Sequence, residues 1–366
     1  MTVAAVDTEK QRAPRPAGAR RINRRSQRIQ SARRALLWGI LSFVGLQAAL
    51  AVVSEKWIPE LRNPPFWTKL RRLQARVRQT PQPSLTVVML GSSCTAFGFQ
   101  GQLLERSWPR HAERPMVAYN FGVYGQGPLG HLLGLERLLR QGLRPDVVLI
   151  EVFPPKLANR LDPSDRRIAT MQYADLDTLQ RYVPERDVAA EWWQSACCPV
   201  ATERVAILSG LLPRLLPWSQ RVEWWKNSDA SGCVSLKVAP GEQTLDVNSS
   251  ALKKWKRQLQ AYEPGGAAVQ ALHELLELCR RERIQAVLVV MPEGPLFRSF
   301  YPPGAWEKAE RMLAELRRDE TVPMIDARTW LGEEAFLDSH HLHARGATQF
   351  TTRLGQALQS LLASVE

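Results

Sequence analysis

The stretch Leu85-Thr86-Val87-Val88-Met89-Leu90-Gly91-Ser92-Ser93-Cys94 constrains the fold of this chain more than any other. Its first six residues are apolar apart from Thr86, and the run halts at a glycine followed by two serines. That pattern predicts a buried strand ending in a tight turn that opens a helix. In open α/β sheets, ligands bind at the carboxyl ends of the strands. A serine here, with Gly91 ahead of it so that the backbone can turn sharply, is placed to be a nucleophile. Serine hydroxyls also cap helices well, and this stretch alone leaves both readings open.

From Leu85 onward the pattern alternates. Strands are expected at 85–90, 115–119, 146–152, 285–291 and 322–325, with helices at about 99–107, 129–142, 251–283, 304–319 and 344–363. Such alternation predicts an α/β fold, a five-stranded parallel sheet with helices on both faces. Residues 156–250 interrupt it and hold Trp192, Trp193, Trp218, Trp224 and Trp225, five of the chain's twelve tryptophans. A connection of that length inside an α/β domain carries function or forms a subdomain of its own. These tryptophans suit the core of a small helical insert, a platform for sugar rings, or a membrane interface.

The formal charge of +13 is uneven: residues 1–34 contribute +8 of it. The basic balance therefore describes a tail, and nucleic-acid binding by the body is not implied. The tail is polar and poor in large apolar residues, so disorder is expected. It leads into Ala35–Val53, nineteen residues without a formal charge and with Gln47 as the one strongly polar side chain. As a helix this span rises about 28 Å, close to the hydrocarbon thickness of a bilayer. The arginine-rich flank favours a cytoplasmic amino terminus, with residues 54–366 outside. A single-pass anchor is the expectation; a cleaved signal peptide, suggested by Ala49-Leu50-Ala51, is the rival. Residues 54–84, with five prolines and a short basic helical stretch at Trp67–Gln79, read as a membrane-proximal stalk.

Five cysteines cannot all pair within one chain. Outside the cytoplasm a Cys197–Cys233 or Cys198–Cys233 bridge is expected. No Cys/His spacing suggests a metal site, and no motif calls for a cofactor.

Two further stretches bear on Ser93. Asn120-Phe121-Gly122-Val123-Tyr124-Gly125-Gln126-Gly127-Pro128 follows the second strand, where glycine lets backbone N–H groups approach a ligand. Asp338-Ser339-His340-His341-Leu342-His343 precedes the last helix and gathers three of the six histidines. A carboxylate three residues before a histidine can hold its ring tautomer and stabilise the imidazolium.

In that order along the chain, Gly-Ser-Ser, Asn-x-Gly-x-x-Gly and Asp-x-x-His resemble the blocks of the SGNH (GDSL-like) hydrolase superfamily, over roughly residues 85–155 and 284–364. The Val289-Val290-Met291-Pro292-Glu293 stretch and the long insert resemble its membrane-anchored, DltD-like branch. The resemblance implies an SGNH/flavodoxin-like α/β domain over 85–364, with Ser93 as nucleophile, His341 as general base and Asp338 as its orienting acid. Gly125 would fall where the family places a backbone oxyanion donor, with Asn120 and Gly122 in the same block.

The implied activity is an extracytoplasmic serine esterase or O-acyltransferase on acyl groups, acetyl as the first guess, of an envelope polysaccharide or similar polymer. The alternative is a catalytically impaired member that binds glycan or assists a membrane-bound acyltransferase. Two departures stand out. Gly-Asp-Ser is Gly91-Ser92-Ser93 here, and the third block, normally Gly-x-Asn, is replaced by Glu151-Val152-Phe153-Pro154-Pro155-Lys156. Loss of one oxyanion donor typically costs about 2.7–4 kcal/mol; Asn120 and Asn159 are the candidate substitutes.

Overall fold

The computed structural model describes residues 17–109, 114–158, 161, 163–216, 227–235, 250–260 and 262–363. The chain opens with a forty-residue helix, α1 (Ala17–Lys56). Within it, Ser26–Lys56 is long and apolar enough to cross a membrane, the one such helix among the described residues. The basic tail, expected to be disordered, is thus helical from residue 17. Its alanines, arginines and glutamines are good helix formers, and no breaker separates them from the apolar run.

Next comes α2 (Pro64–Gln79), capped by Asn63, whose side chain accepts the Phe66 N–H, with two prolines in the first turn. Residues 64–79, expected within a stalk, instead belong to the body. Phe66, Leu70 and Leu73 fall on one helical face and are buried, as is Trp67. Phe66 meets Phe121 edge-on at 5.1 Å.

The sheet begins with β1 (Leu85–Gly91), followed by α3 (Ser93–Gly98) and α4 (Gly101–Ser107). After β2 (Met116–Gly122) and α5 (Pro128–Arg140) comes β3 (Val147–Val152). The insert then carries α6 (Leu176–Tyr182), α7 (Val188–Cys197), α8 (Pro199–Thr202) and α9 (Arg204–Leu211). The chain returns through α10 (Ser250–Gln260) and α11 (Gly266–Arg281) to β4 (Gln285–Val290). It ends with α12 (Pro295–Arg298), α13 (Ala305–Glu320), β5 (Met324–Asp326) and α14 (Ala344–Ala363). The helix expected over 251–283 is two helices, because the chain turns at Gly265 and Gly266, both with positive φ.

All strand pairs are parallel, in the order β2-β1-β3-β4-β5. That is the flavodoxin-like doubly wound order, whose switch point lies between β1 and β3. Successive residues alternate between faces, so every strand is apolar on both sides. Val88, Leu90, Val148 and Ile150 join α2, α5 and α11 in one core. Val87, Met89, Val147 and Leu149 join α4, α13 and α14 in the other. The five-stranded sheet with helices on both faces is therefore the fold.

The insert is a cluster of short helices. Trp192 is buried in it, donates from Nε1 to Met171 O (3.0 Å) and lies under the Arg62 guanidinium at 4.6 Å. Trp193 is exposed, and Trp218, Trp224 and Trp225 lie outside the described residues. All five cysteines are free thiols. The expected bridge to Cys233 is absent because that side chain is buried against Phe97 O, while Cys197 is exposed on α7.

The foot of α1 is tied to the insert. Val200 N–H donates to Gln47 Oε1 (3.3 Å) and Tyr173 N–H to Glu55 Oε1 (2.8 Å). Arg62 Nε lies 3.5 Å from Glu55 and 3.4 Å from Glu203.

Candidate active site

Ser93 is the first residue of α3, immediately beyond β1. Ser92 is the cap, its Oγ accepting the Cys94 N–H (3.2 Å). The two readings of this serine pair are thus divided between the two residues. From the far end of the chain, the 338–341 turn brings His341 Nε2 to 2.8 Å from Ser93 Oγ. His341 Nδ1 lies 2.8 Å from Asp338 Oδ2, and the His341 backbone N–H donates to Asp338 Oδ1 (2.9 Å). A carboxylate accepts only, so Nδ1 carries the proton and Nε2 is left to accept from the Ser93 hydroxyl. The three residues form a hydrogen-bonded relay in the Ser–His–Asp sense.

The turn is held rigidly. Ser339 is buried with φ 69°, a left-handed conformation uncommon outside glycine. Its carbonyl accepts the Gly294 N–H (2.7 Å). The Phe97 ring meets the His341 imidazole edge-on at 5.3 Å. Burial alone would raise the Asp338 carboxyl, but the hydrogen bond and charge of His341 outweigh it and hold it well below the usual carboxylate range. It stays ionised, as an orienting acid must.

His340 sits in an aromatic cluster, stacked on Phe153 at 11° and flanked by Trp255 and Phe297. Burial, with the neighbouring His341, pushes its ring down to about 4, so it is neutral near pH 7. His343 caps α14: its Nδ1 accepts the Arg345 and Gly346 N–H groups, and its Nε2 donates to Glu334 O. Both histidines are structural.

Asp338, His340 and His341 also offer ligand atoms within 4.8 Å of one another. Both His341 ring nitrogens already serve the relay, so a cation seated there would break the alignment of Ser93. Cys94 is no rival nucleophile, because burial and the Glu151 carboxylate hold its thiol well above its ordinary value.

The second block separates. Asn120, expected to line the oxyanion site, is fully buried. Its Nδ2 donates to Thr95 O (2.7 Å) and Phe99 O (2.7 Å), and its Oδ1 accepts the Gly122 N–H (3.0 Å). Neither Asn120 nor Gly122 has a donor to spare for a substrate. Gly122 is needed instead for close approach, since a Cβ there would overlap the backbone of Ala96 and Ser92. These two residues therefore clamp α3 against β2. Asn159 lies outside the described residues.

Gly125 differs. It has φ 77°, and its loop leaves β2 beside the nucleophile turn, with Val123 N–H donating to Gly91 O (2.8 Å). Among the described residues, neither the Gly125 nor the Ser93 N–H has a protein acceptor. The loop is tethered by residues not singled out from the sequence. Lys156 Nζ donates to Gly125 O (2.8 Å), and the buried Asp165 accepts the Gly127 N–H (2.9 Å).

Glu151 was also missed. From β3 its Oε2 accepts from Ser92 N–H (2.9 Å), Thr95 N–H (3.0 Å) and Thr95 Oγ1 (2.5 Å). A buried carboxylate reaching across from the neighbouring strand thus braces the turn that carries Ser93. Gly91 must be glycine because a Cβ would overlap Thr95 Oγ1 and Glu151 Oε2. One signal was available: Glu151 is the sole charge in the apolar run Val147–Val152, and a buried carboxylate requires partners.

A protein-family model matches residues 248–363, the part that carries β4, β5 and the 338–341 turn. No curated protein sequence matches the chain. Similar solved structures include a GDSL-like lipase from Bacteroides thetaiotaomicron, 12% identical over 81% of this chain and 99% of that one, with TM-score 0.36. Another is the psychrotrophic esterase EstA of a Pseudoalteromonas species, 12% identical over 76% and 100%, with TM-score 0.34. At this level of likeness the neighbours add nothing to what the chain's own strand order and distances establish.

Proposed function

We propose that this chain is an SGNH-like serine esterase or O-acyltransferase of the DltD-like kind, anchored by α1 with its α/β domain on the extracytoplasmic side. The single observation that carries the reading is the continuous relay from Asp338 through His341 to Ser93, with both links at 2.8 Å.

In the reaction His341 Nε2 takes the Ser93 proton as Oγ attacks the ester carbonyl. The Ser93 and Gly125 N–H groups stabilise the oxyanion, and the His341 imidazolium returns its proton to the departing alcohol. Water, or a sugar hydroxyl in the transferase, then attacks the acyl-Ser93 ester with His341 again as base. The expected substrate is an acylated envelope polysaccharide, acetyl first.

The test uses the full chain in detergent with p-nitrophenyl acetate and a fluorophosphonate probe. Wild type should release p-nitrophenol and be labelled, and Ser93→Ala should do neither. Equal labelling of Ser93→Ala would overturn the assignment.

A second reading, of another class, rests on the commitment of the Asn120 carboxamide to α3, which leaves backbone N–H groups as the oxyanion donors among the described residues. An impaired domain of this kind would bind glycan and assist a membrane-bound acyltransferase. Saccharide binding without serine labelling distinguishes it.

A further inference from the structure

Among the described residues, the exposed large apolar side chains fall in two stretches, Ile29–Ile58 and Tyr173–Leu215. The first is α1 with the residues after it. The second lies in the insert and includes Trp193, Val200, Val205, Leu212 and Leu215, with the last two more than half exposed. The α/β body shows no comparable patch among those residues. Singly scattered apolar side chains need no explanation, but segregation to one part of a surface does.

The two stretches meet at Gln47. This one strongly polar side chain of the apolar span is buried, and its Oε1 accepts the α8 backbone N–H of Val200 (3.3 Å). Gln47 lies only thirteen positions beyond Arg34, the last charge of the tail. Those positions rise about 20 Å, whereas a hydrocarbon core is about 30 Å thick. Roughly 10 Å of apolar layer must therefore surround α1 at and beyond Gln47, at the level where the insert packs on it. That depth is close to the ~5–10 Å to which interfacial elements bury their apolar faces.

Resting on the reading of α1 as a membrane anchor, we infer that the insert surface formed by α7, α8, α9 and residues 212–215 is seated in the outer leaflet of the bilayer. The domain is thus both spanned by a helix and embedded through a second, monotopic surface. A polar side chain at lipid depth needs a protein partner, and the insert supplies one to the Gln47 carbonyl, while its buried Nε2 has no partner among the described residues. The occupant of the apolar face is lipid acyl chain, because α7 and α8, which carry part of that face, pack directly on α1.

The experiment uses the full chain with Cys197 and Cys198 changed to Ser, reconstituted in phosphatidylcholine vesicles with or without lipid doxyl-labelled on its acyl chain. An environment-sensitive fluorophore is placed by Leu212→Cys or Leu215→Cys, with Leu41→Cys in α1 and Lys253→Cys on α10 as references. Probes at 212, 215 and 41 should shift to shorter wavelength and be quenched at least twofold, while the probe at 253 is unaffected. Quenching at 41 without quenching at 212 and 215 would overturn the inference and leave the anchor standing, the surface then belonging to a protein partner. No quenching at 41, 212 or 215 would overturn both.

Discussion

Glu151 reaches beneath the turn that carries the nucleophile and accepts the Ser92 N–H at 2.9 Å, with Thr95 donating twice to the same oxygen. One buried carboxylate oxygen therefore sets where Ser93 stands. In Glu151→Gln the amide oxygen can still accept, but without the charge that strengthens such bonds. The variant should lose about 1.5–3 kcal/mol of stability. Its kcat should fall roughly tenfold with KM little changed, measured by denaturant unfolding and p-nitrophenyl acetate kinetics.

Asp338 fixes the His341 tautomer. Asp338→Asn presents a carboxamide that can donate to Nδ1, moving the ring proton to Nε2 and away from its role as acceptor. A fall in kcat of about 10³–10⁴ is expected, with fluorophosphonate labelling of Ser93 slowed in parallel. Unchanged labelling rates would place the base elsewhere.

Lys156 occupies the block where the related pattern has an asparagine, yet it acts on the Gly125 loop through the carbonyl. Lys156→Met removes that tether and should lower kcat by roughly tenfold to a hundredfold, with the melting temperature nearly constant. Lys156→Arg, which keeps a donor, should recover most of the rate. A loss of stability in place of rate would assign Lys156 to packing alone.

His340 is held neutral by burial, with its ring at about 4 against an ordinary 6.5. Between those values the unfolded chain binds more protons than the folded one, so stability falls as pH drops from about 6.5 to 4. The contribution is at most about 1.4 kcal/mol per pH unit. His340→Phe keeps a stacked ring but cannot titrate, so its stability should decline less over that window. Urea midpoints at pH 7, 5.5 and 4.5 for both proteins provide the check.

Much of the fold was legible because period and punctuation were strong: the apolar runs at 85–90, halting at Gly91, and at 146–152 mark parallel strands without reference to tertiary contacts. The relay was legible for a similar reason, since Asp338 and His341 are three residues apart and interact locally. What escaped depends on the neighbours of each residue in space. Asn120 sits in the expected block, but its carboxamide is consumed by Thr95 and Phe99, twenty or more positions away. Glu151 is a lone charge until β1 and β3 pair and bring it under Ser92. The proline-rich 54–84 segment suggested a stalk, while the apolar face of Phe66, Leu70 and Leu73 shows its value only beside Phe121.

The Arg62 guanidinium, wedged between Glu55 at the foot of α1 and Glu203 of the insert, leaves no loose joint between the long helix and the domain. Under the proposed placement of α1 across a bilayer, the domain would not sway on a tether, and the clearance of Ser93 above the lipid would be a fixed dimension of the molecule. An enzyme held so would sweep a plane as it diffuses laterally. On the proposed function, acyl groups carried through that plane come within reach, and those beyond it stay untouched however long the enzyme waits.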